Sequence, residues 1–289
     1  MILGTVELGL AYGINNVTGK PNQQQAFNVL GTAWDCGVRE LDTAAGYGES
    51  ETLIGLYQEK SGHSFLIDTK LPVRIEKESI PPSFYETCKR LKTDKIHLLY
   101  LHSFAQCKEQ DTISFLHELK SSGKINHIGV SIYDPEEMSY IIDNLPDVDT
   151  IQFPFNVFDS HRWKENNLLS NALAAGKHLY IRSVYLQGLI FRQKNDPLVV
   201  KMGASDYIAK FNDVCNSLNL SVQEFAYQYV RANNIENIII GCQTPEEVKD
   251  NAQFDRSSVK ISASMIEEIE HYMVSIPTIA IDPRRWKNL

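Results

Sequence analysis

The sequence predicts an α/β chain folded as a single-domain (β/α)8 barrel over residues 1–289, and three observations predict it. Eight short runs rich in Val, Ile, Leu and aromatic residues recur along the chain, each bounded by turn residues. Between them lie longer segments with apolar residues at helical spacing, and strand–helix repetition of this kind makes a parallel sheet. An open, doubly wound sheet and a closed barrel both satisfy the pattern. No GxGxxG string follows the first strand, which weighs against the open dinucleotide-binding sheet. Eight units within 289 residues fit a barrel, which needs about 250.

The expected strands are residues 2–8, 38–42, 64–70, 96–101, 125–131, 150–153, 178–183 and 237–241. A helix over 22–36 opens beside Pro21 and stops before Gly37, and a second over 49–60 stops at Ser61-Gly62. A third, 111–121, places Ile113, Leu116 and Lys120 on one face and ends at Gly123. Helices 135–143 and 245–254 each start with an N-cap residue followed by proline, Asp134-Pro135 and Thr244-Pro245. The irregular stretches 186–203 and 275–289 are expected at the top rim, where long loops are usually functional. The run EEIEHYM, 267–273, reads as a solvated helix face.

Net charge is −8, with no basic stripe, so neither a nucleic-acid nor an anionic-membrane surface is expected. Five scattered cysteines without a CxxC pair indicate reduced thiols, not a disulfide framework or zinc site. His97, His117, His127, His161 and His178 show no metal-ligand spacing, so no metal is expected. No apolar run reaches the ~18 residues of a membrane span, and the N-terminus lacks a basic leader, so a cytoplasmic protein is expected.

In a barrel enzyme the reacting groups stand at the C-terminal ends of strands. Those ends carry Asp42, with Tyr47 in the following loop, then Lys70, His102, Ser131, Gln152 and Arg182-Ser183. A phenol has a pKa near 10, a neighbouring ammonium lowers it, and a carboxylate holds that ammonium in place. A histidine beside them can aim a carbonyl oxygen. The set suits protonation of an oxygen as hydride reaches the adjacent carbon.

The strings LDTAAGYGESE (41–51), LLYLHS (98–103), IGVSIY (128–133), IQFPFN (151–156) and IIIGCQTPEEVKDN (238–251), with the lysine closing strand three, resemble the aldo-keto reductases. The resemblance runs from Gly4 to about Asn251. It implies an oxidoreductase that reduces an aldehyde or ketone, with Tyr47 as general acid, Lys70 and Asp42 setting its pKa, and His102 orienting substrate. It also implies a cofactor, NADP(H) first and NAD(H) as the alternative. Gly4, Thr5 and Asp42 would contact it, Ser131 and Gln152 would hold its carboxamide, and Arg182, Ser183, Leu186 and Gly188 would follow with the loop over the pyrophosphate. Gly241, Gln243, Thr244, Glu247 and Asn251 match the adenosine end, where a helix N-terminus helps hold phosphate.

Three departures stand out. Ile132 replaces an asparagine that many relatives use on the carboxamide. Arg182 replaces a stacking tyrosine, which brings positive charge and suggests substrates bearing a carboxylate or several hydroxyls. Glu247 stands where NADPH-preferring relatives place cations, with only Lys249 nearby, and points to weak NADPH preference or dual use. Cys242 reads as an inert buried thiol, and Trp286 as either a pocket cap or a surface anchor. The alternative function is a nicotinamide-binding regulatory or redox-sensing subunit with little turnover. The expected partner is a small carbonyl compound, and the expected state a monomer or weak homo-oligomer.

Overall fold

The protein was examined as a computed structural model, which describes residues 1–288; the last residue of the expected tail, Leu289, lies outside them. Eight parallel strands close into a barrel in chain order: β1 (Ile2–Gly4), β2 (Glu40–Asp42), β3 (Leu66–Lys70), β4 (Ile96–Leu101), β5 (Ile125–Ser131), β6 (Thr150–Pro154), β7 (His178–Arg182) and β8 (Asn237–Gly241). Closure is made by β1 on β8, with Gly4 beside Gly241.

Every expected strand is present, and three ends differ by more than a residue from the sequence reading. The largest difference is at the start, where the chain leaves the sheet after Gly4 and makes a one-turn helix, Val6–Gly9. The alternation Ile2, Gly4, Val6, Leu8 imitates a longer strand. The turn is required because Gly9 packs directly on the loop after β2. A Cβ at Gly9 would fall 1.8 Å from the Tyr47 carbonyl oxygen, and one at Gly48 (φ 56°) 2.4 Å from the Gly9 carbonyl. Backbone meets backbone there, so both positions need glycine. At the other end, Ser183 leaves β7 early by adopting φ 62°.

Helix starts follow their caps. Asn22 and Gln25 form a reciprocal capping box before Gln23–Asp35, and Asp134 with Glu137 does the same before Pro135–Asn144. The Thr244 hydroxyl accepts from the Glu247 amide at the start of Pro245–Arg256. The stretches expected to be irregular carry short helices, Pro197–Lys201 in one and Thr278–Ile281 in the other. Nor is the run 267–273 a wholly solvated face. It belongs to Ala263–Met273, which buries Ile269 and Met273, while Glu270 accepts from Tyr229 and Lys164.

Apolar burial has two layers. One lies between strands and helices; the other fills the barrel with Ile2, Leu98, Tyr100, Tyr180 and Ile239. Tyr100 fits because Gly129 faces it: a Cβ there would sit 2.4 Å from the ring. Among the described residues no helix is long and apolar enough to cross a membrane.

Candidate active site

A cavity opens at the C-terminal ends of the strands. Its wall includes Gly4, Thr5, Asp42, Tyr47, His102, Ser131, Gln152, Arg182, Ser183, Gly188, Gly241, Gln243, Glu247 and Asn251. Residues from all parts of the chain that sequence reasoning singled out therefore share one space. Three do not line it. Lys70 lies beneath the wall, Thr244 caps its helix, and the Leu186 side chain is fully buried in the core at φ 45°. Trp286 is also off the wall; its indole N–H donates to the Ile279 carbonyl and its ring packs on the core.

Lys70 is buried, and its ammonium donates to Asp42 Oδ1 (2.7 Å), Asp42 Oδ2 (2.6 Å) and the Thr43 carbonyl (2.9 Å). Those three bonds account for all three N–H groups of an ammonium. The nitrogen is 5.2 Å from the centroid of the Tyr47 ring, an electrostatic neighbour of the ring face. The expected lowering of the Tyr47 pKa is not what this geometry produces. Burial first, and then the Asp42 charge, push the phenol well above its ordinary value, while Arg182 is the cation that pulls the other way. Tyr47 thus holds its proton firmly at neutral pH.

The His102 ring stands edge-on to Tyr47 at 6.0 Å between centroids. Burial, with Lys70 and Arg182 adding positive charge, pushes its pKa down to about 3, so the ring is neutral and offers one N–H. Across the cavity, Gln152 Nε2 donates to Asp42 Oδ2 (2.7 Å), which leaves Oε1 buried without a partner. Ser131 is its neighbour in register. An unpartnered amide oxygen beside a hydroxyl is what a ligand carboxamide needs, one N–H for the oxygen and an acceptor for the O–H. The residues present therefore fit a nicotinamide.

Arg182 stands at the wall, where its guanidinium donates to the Ile132 carbonyl (3.0 Å) and stacks over Tyr133 at 4.2 Å. Arg284 from the tail stacks on the same tyrosine at 4.4 Å, so the tail does reach the rim. The loop after β7 is strained: Ser183, Leu186 and Gln187 all have positive φ. It is fastened to the loop after β1, with Asn15 Nδ2 donating to the Gly188 carbonyl (2.7 Å) and Gln187 to the Tyr12 hydroxyl (2.8 Å).

At the other end of the cavity, Glu247 accepts from the Gln243 amide (2.6 Å) and Thr244 from the Glu247 amide (3.2 Å). Two amides at this helix start, which would otherwise be open to a phosphate, are already taken, one of them by a carboxylate. Lys249 is exposed and off the wall. Asn251 is held by the Tyr185 hydroxyl, and Cys242 is buried with its thiol pushed up by burial.

Among the cavity residues that escaped sequence reasoning are Glu7, Tyr12, Tyr133 and Gln187. The string ELGLAYG after β1 held the first two, and reading 2–8 as strand put Glu7 out of view. The fold also makes a grouping that linear spacing concealed. Glu40, Asp68 and His97, from three adjacent strands, bring ligand-type atoms within 4.8 Å of one another near the opposite end of the barrel.

The model of the aldo/keto reductase family matches residues 1–273. The chain belongs to the aldo-keto reductases. It is 24% identical to an NADH-specific methylglyoxal reductase of Escherichia coli, covering 87% of this chain and 88% of that protein. It is 23% identical to a pyridoxal 4-dehydrogenase of Microbacterium luteolum, covering 89% of each. Among solved structures, the holo form of an aldo-keto reductase from Bacillus halodurans superposes with a TM-score of 0.77 at 20% identity, covering 94% of this chain and 91% of that one. A glycerol dehydrogenase from Gluconobacter oxydans gives 0.74 at 22% identity, covering 98% and 93%. This aldo-keto reductase is accordingly an oxidoreductase of a family that uses nicotinamide cofactors on small carbonyl substrates.

Proposed function

We propose that the protein reduces an aldehyde or ketone to an alcohol, with Tyr47 as the proton donor and NADH as the preferred cofactor. The observation that carries the reading is the meeting of Tyr47, His102 and the unpartnered Gln152 oxygen on one cavity wall. Ser131 and Gln152 would hold a nicotinamide, and that group would supply hydride to a carbonyl carbon. The neutral His102 donates its N–H to the carbonyl oxygen and fixes its direction. Tyr47 gives its proton to that oxygen as negative charge develops, and regains one from solvent.

A phenol held above its ordinary pKa keeps its proton at neutral pH, so Tyr47 stands protonated and able to donate as negative charge grows on the substrate oxygen. Asp42 and Lys70 act as positioning residues. Their bonds tie the end of β2 to β3, and Ala45 N donates to the Lys70 carbonyl (3.1 Å), which holds the loop carrying Tyr47. The Arg182 cation favours substrates with a carboxylate or several hydroxyls near the carbonyl.

The cofactor choice rests on Glu247. Its carboxylate occupies the helix N-terminus that a 2′-phosphate would seek, and like charges about 4 Å apart cost about 1 to 4 kcal/mol between bulk water and a protein surface. NADPH, the first expectation from the sequence, thus gives way to NADH. Steady-state kinetics with a polyhydroxylated or carboxylated aldehyde should give kcat/KM with NADH equal to or above that with NADPH. A preference for NADPH above about a hundredfold, some 2.7 kcal/mol, would overturn this part of the reading.

A further inference from the structure

Glu7 has no part in the chemistry above, yet it is an acid on the cavity wall. It stands on the one-turn helix after β1, and because β1 pairs with β8 it leans on Gly241. A Cβ at Gly241 would come within 2.3 Å and 2.4 Å of its two carboxylate oxygens, so the acid occupies the room that the glycine leaves. Oε2 is closed off from solvent and has no hydrogen-bond partner.

The groups that act on Glu7 include no compensating cation. The charged group acting on Glu7 is Glu247, from the helix Pro245–Arg256, a second negative charge on the same wall. The other titratable groups that feel Glu7 are the Cys242 thiol after β8 and the phenols of Tyr12 and Tyr47 from the loops after β1 and β2. All are neutral near pH 7, and none can supply a positive charge. Arg182 on the far wall acts on the two phenols. Burial is the main reason that the Glu7 pKa is pushed up to about 7, with Glu247 adding to it and a backbone hydrogen bond opposing it.

We infer that Glu7 couples cofactor binding to a proton: as a carboxylic acid it donates a hydrogen bond to the anionic dinucleotide, and as a carboxylate it repels it. The inference rests on the proposed nicotinamide reading of the cavity. Glu7 lies against Gly241 and shares the cavity wall with Glu247, so it stands at the end of the cavity that this reading gives to the adenosine and phosphate part of the dinucleotide. The diphosphate is an acceptor-only dianion, so it needs donors, and Glu7 donates only when protonated. The sign follows from linkage. Proton and anion favour each other, so affinity is highest below the Glu7 pKa and falls as pH rises through it.

NADH titrations of the whole protein by calorimetry, from pH 6 to 8.5 in two buffers of different ionisation enthalpy, test this. His102 and the tyrosines do not titrate in that window, and the charge of NADH is constant across it. The wild type should lose affinity toward about tenfold per pH unit above the Glu7 pKa and take up a proton on binding near pH 8. Glu7→Gln, which keeps the shape and always donates, should bind tightly with neither effect. Wild-type affinity that is flat or rises with pH, without proton uptake, would overturn the inference even if the variant fails to fold, because it would make Glu7 an acceptor for a ribose hydroxyl. Failure to bind NADH at any pH would instead bring down the nicotinamide reading itself, and the inference with it.

Discussion

Tyr47→Phe should lower kcat/KM for carbonyl reduction by about 10²- to 10⁴-fold, the usual worth of a positioned general acid, while NADH binding changes little. The ring and its contacts survive the substitution: phenylalanine keeps the face that Lys70 approaches at 5.2 Å and the edge that meets His102. Only the O–H is lost. No neighbour is equipped to replace it, since His102 is neutral with a single N–H aimed at orientation, and Tyr12 is also held above its ordinary pKa by burial. Fluorescence titration with NADH separates the two effects. Retained turnover with intact binding would move the proton donor to another residue and end the role assigned to Tyr47.

The second large effect is on stability. Lys70→Met should destabilise the fold by about 3 to 5 kcal/mol, because it leaves Asp42 charged, buried and short of its main partner. Gln152 would be the remaining donor to that carboxylate. Lowering the melting temperature by roughly 2–4 °C per kcal/mol gives an expected drop of about 6–20 °C. The double variant Lys70→Met, Asp42→Asn removes both charges and should recover most of the loss, since neutral replacements of buried pairs are often tolerated. Thermal denaturation of the three proteins measures this. A single variant as stable as wild type would mean that the pair does not hold the strand ends together.

How much of this was legible in the sequence depends on the distance over which each feature is encoded. Strands and helix starts are local. The start signals Pro21, Asp134 and Thr244 announced their helices correctly, and runs such as 96–101 and 125–131 matched their strands residue for residue. The end of β1 was not local. It is set by Gly9 meeting the Tyr47 backbone, 38 positions away, and a period-2 pattern carries no trace of that contact. The same error hid Glu7.

Electrostatics were legible only as composition. Sequence named the lysine, the carboxylate and the phenol correctly, but not the sharing of donors. Lys70 directs all three N–H groups to Asp42 and Thr43, so burial and Asp42 decide the Tyr47 pKa and the shift runs upward. Leu186 shows the limit of motif matching: the residue is in the right loop, but a left-handed backbone turns its side chain into the core. Glu40, Asp68 and His97 met through strand register alone, which residue spacing cannot express.

The central claim is that hydride passes from a nicotinamide to a carbonyl carbon in this cavity. Single-turnover reactions with NADH carrying deuterium at the transferable C4 position, run against a panel of polyhydroxylated and carboxylated aldehydes, test it most directly. The account predicts oxidation of the bound NADH and one deuterium on the carbinol carbon of the product alcohol. NADH that binds but transfers no label to any member of the panel would contradict it, and would favour a cofactor-binding subunit without turnover.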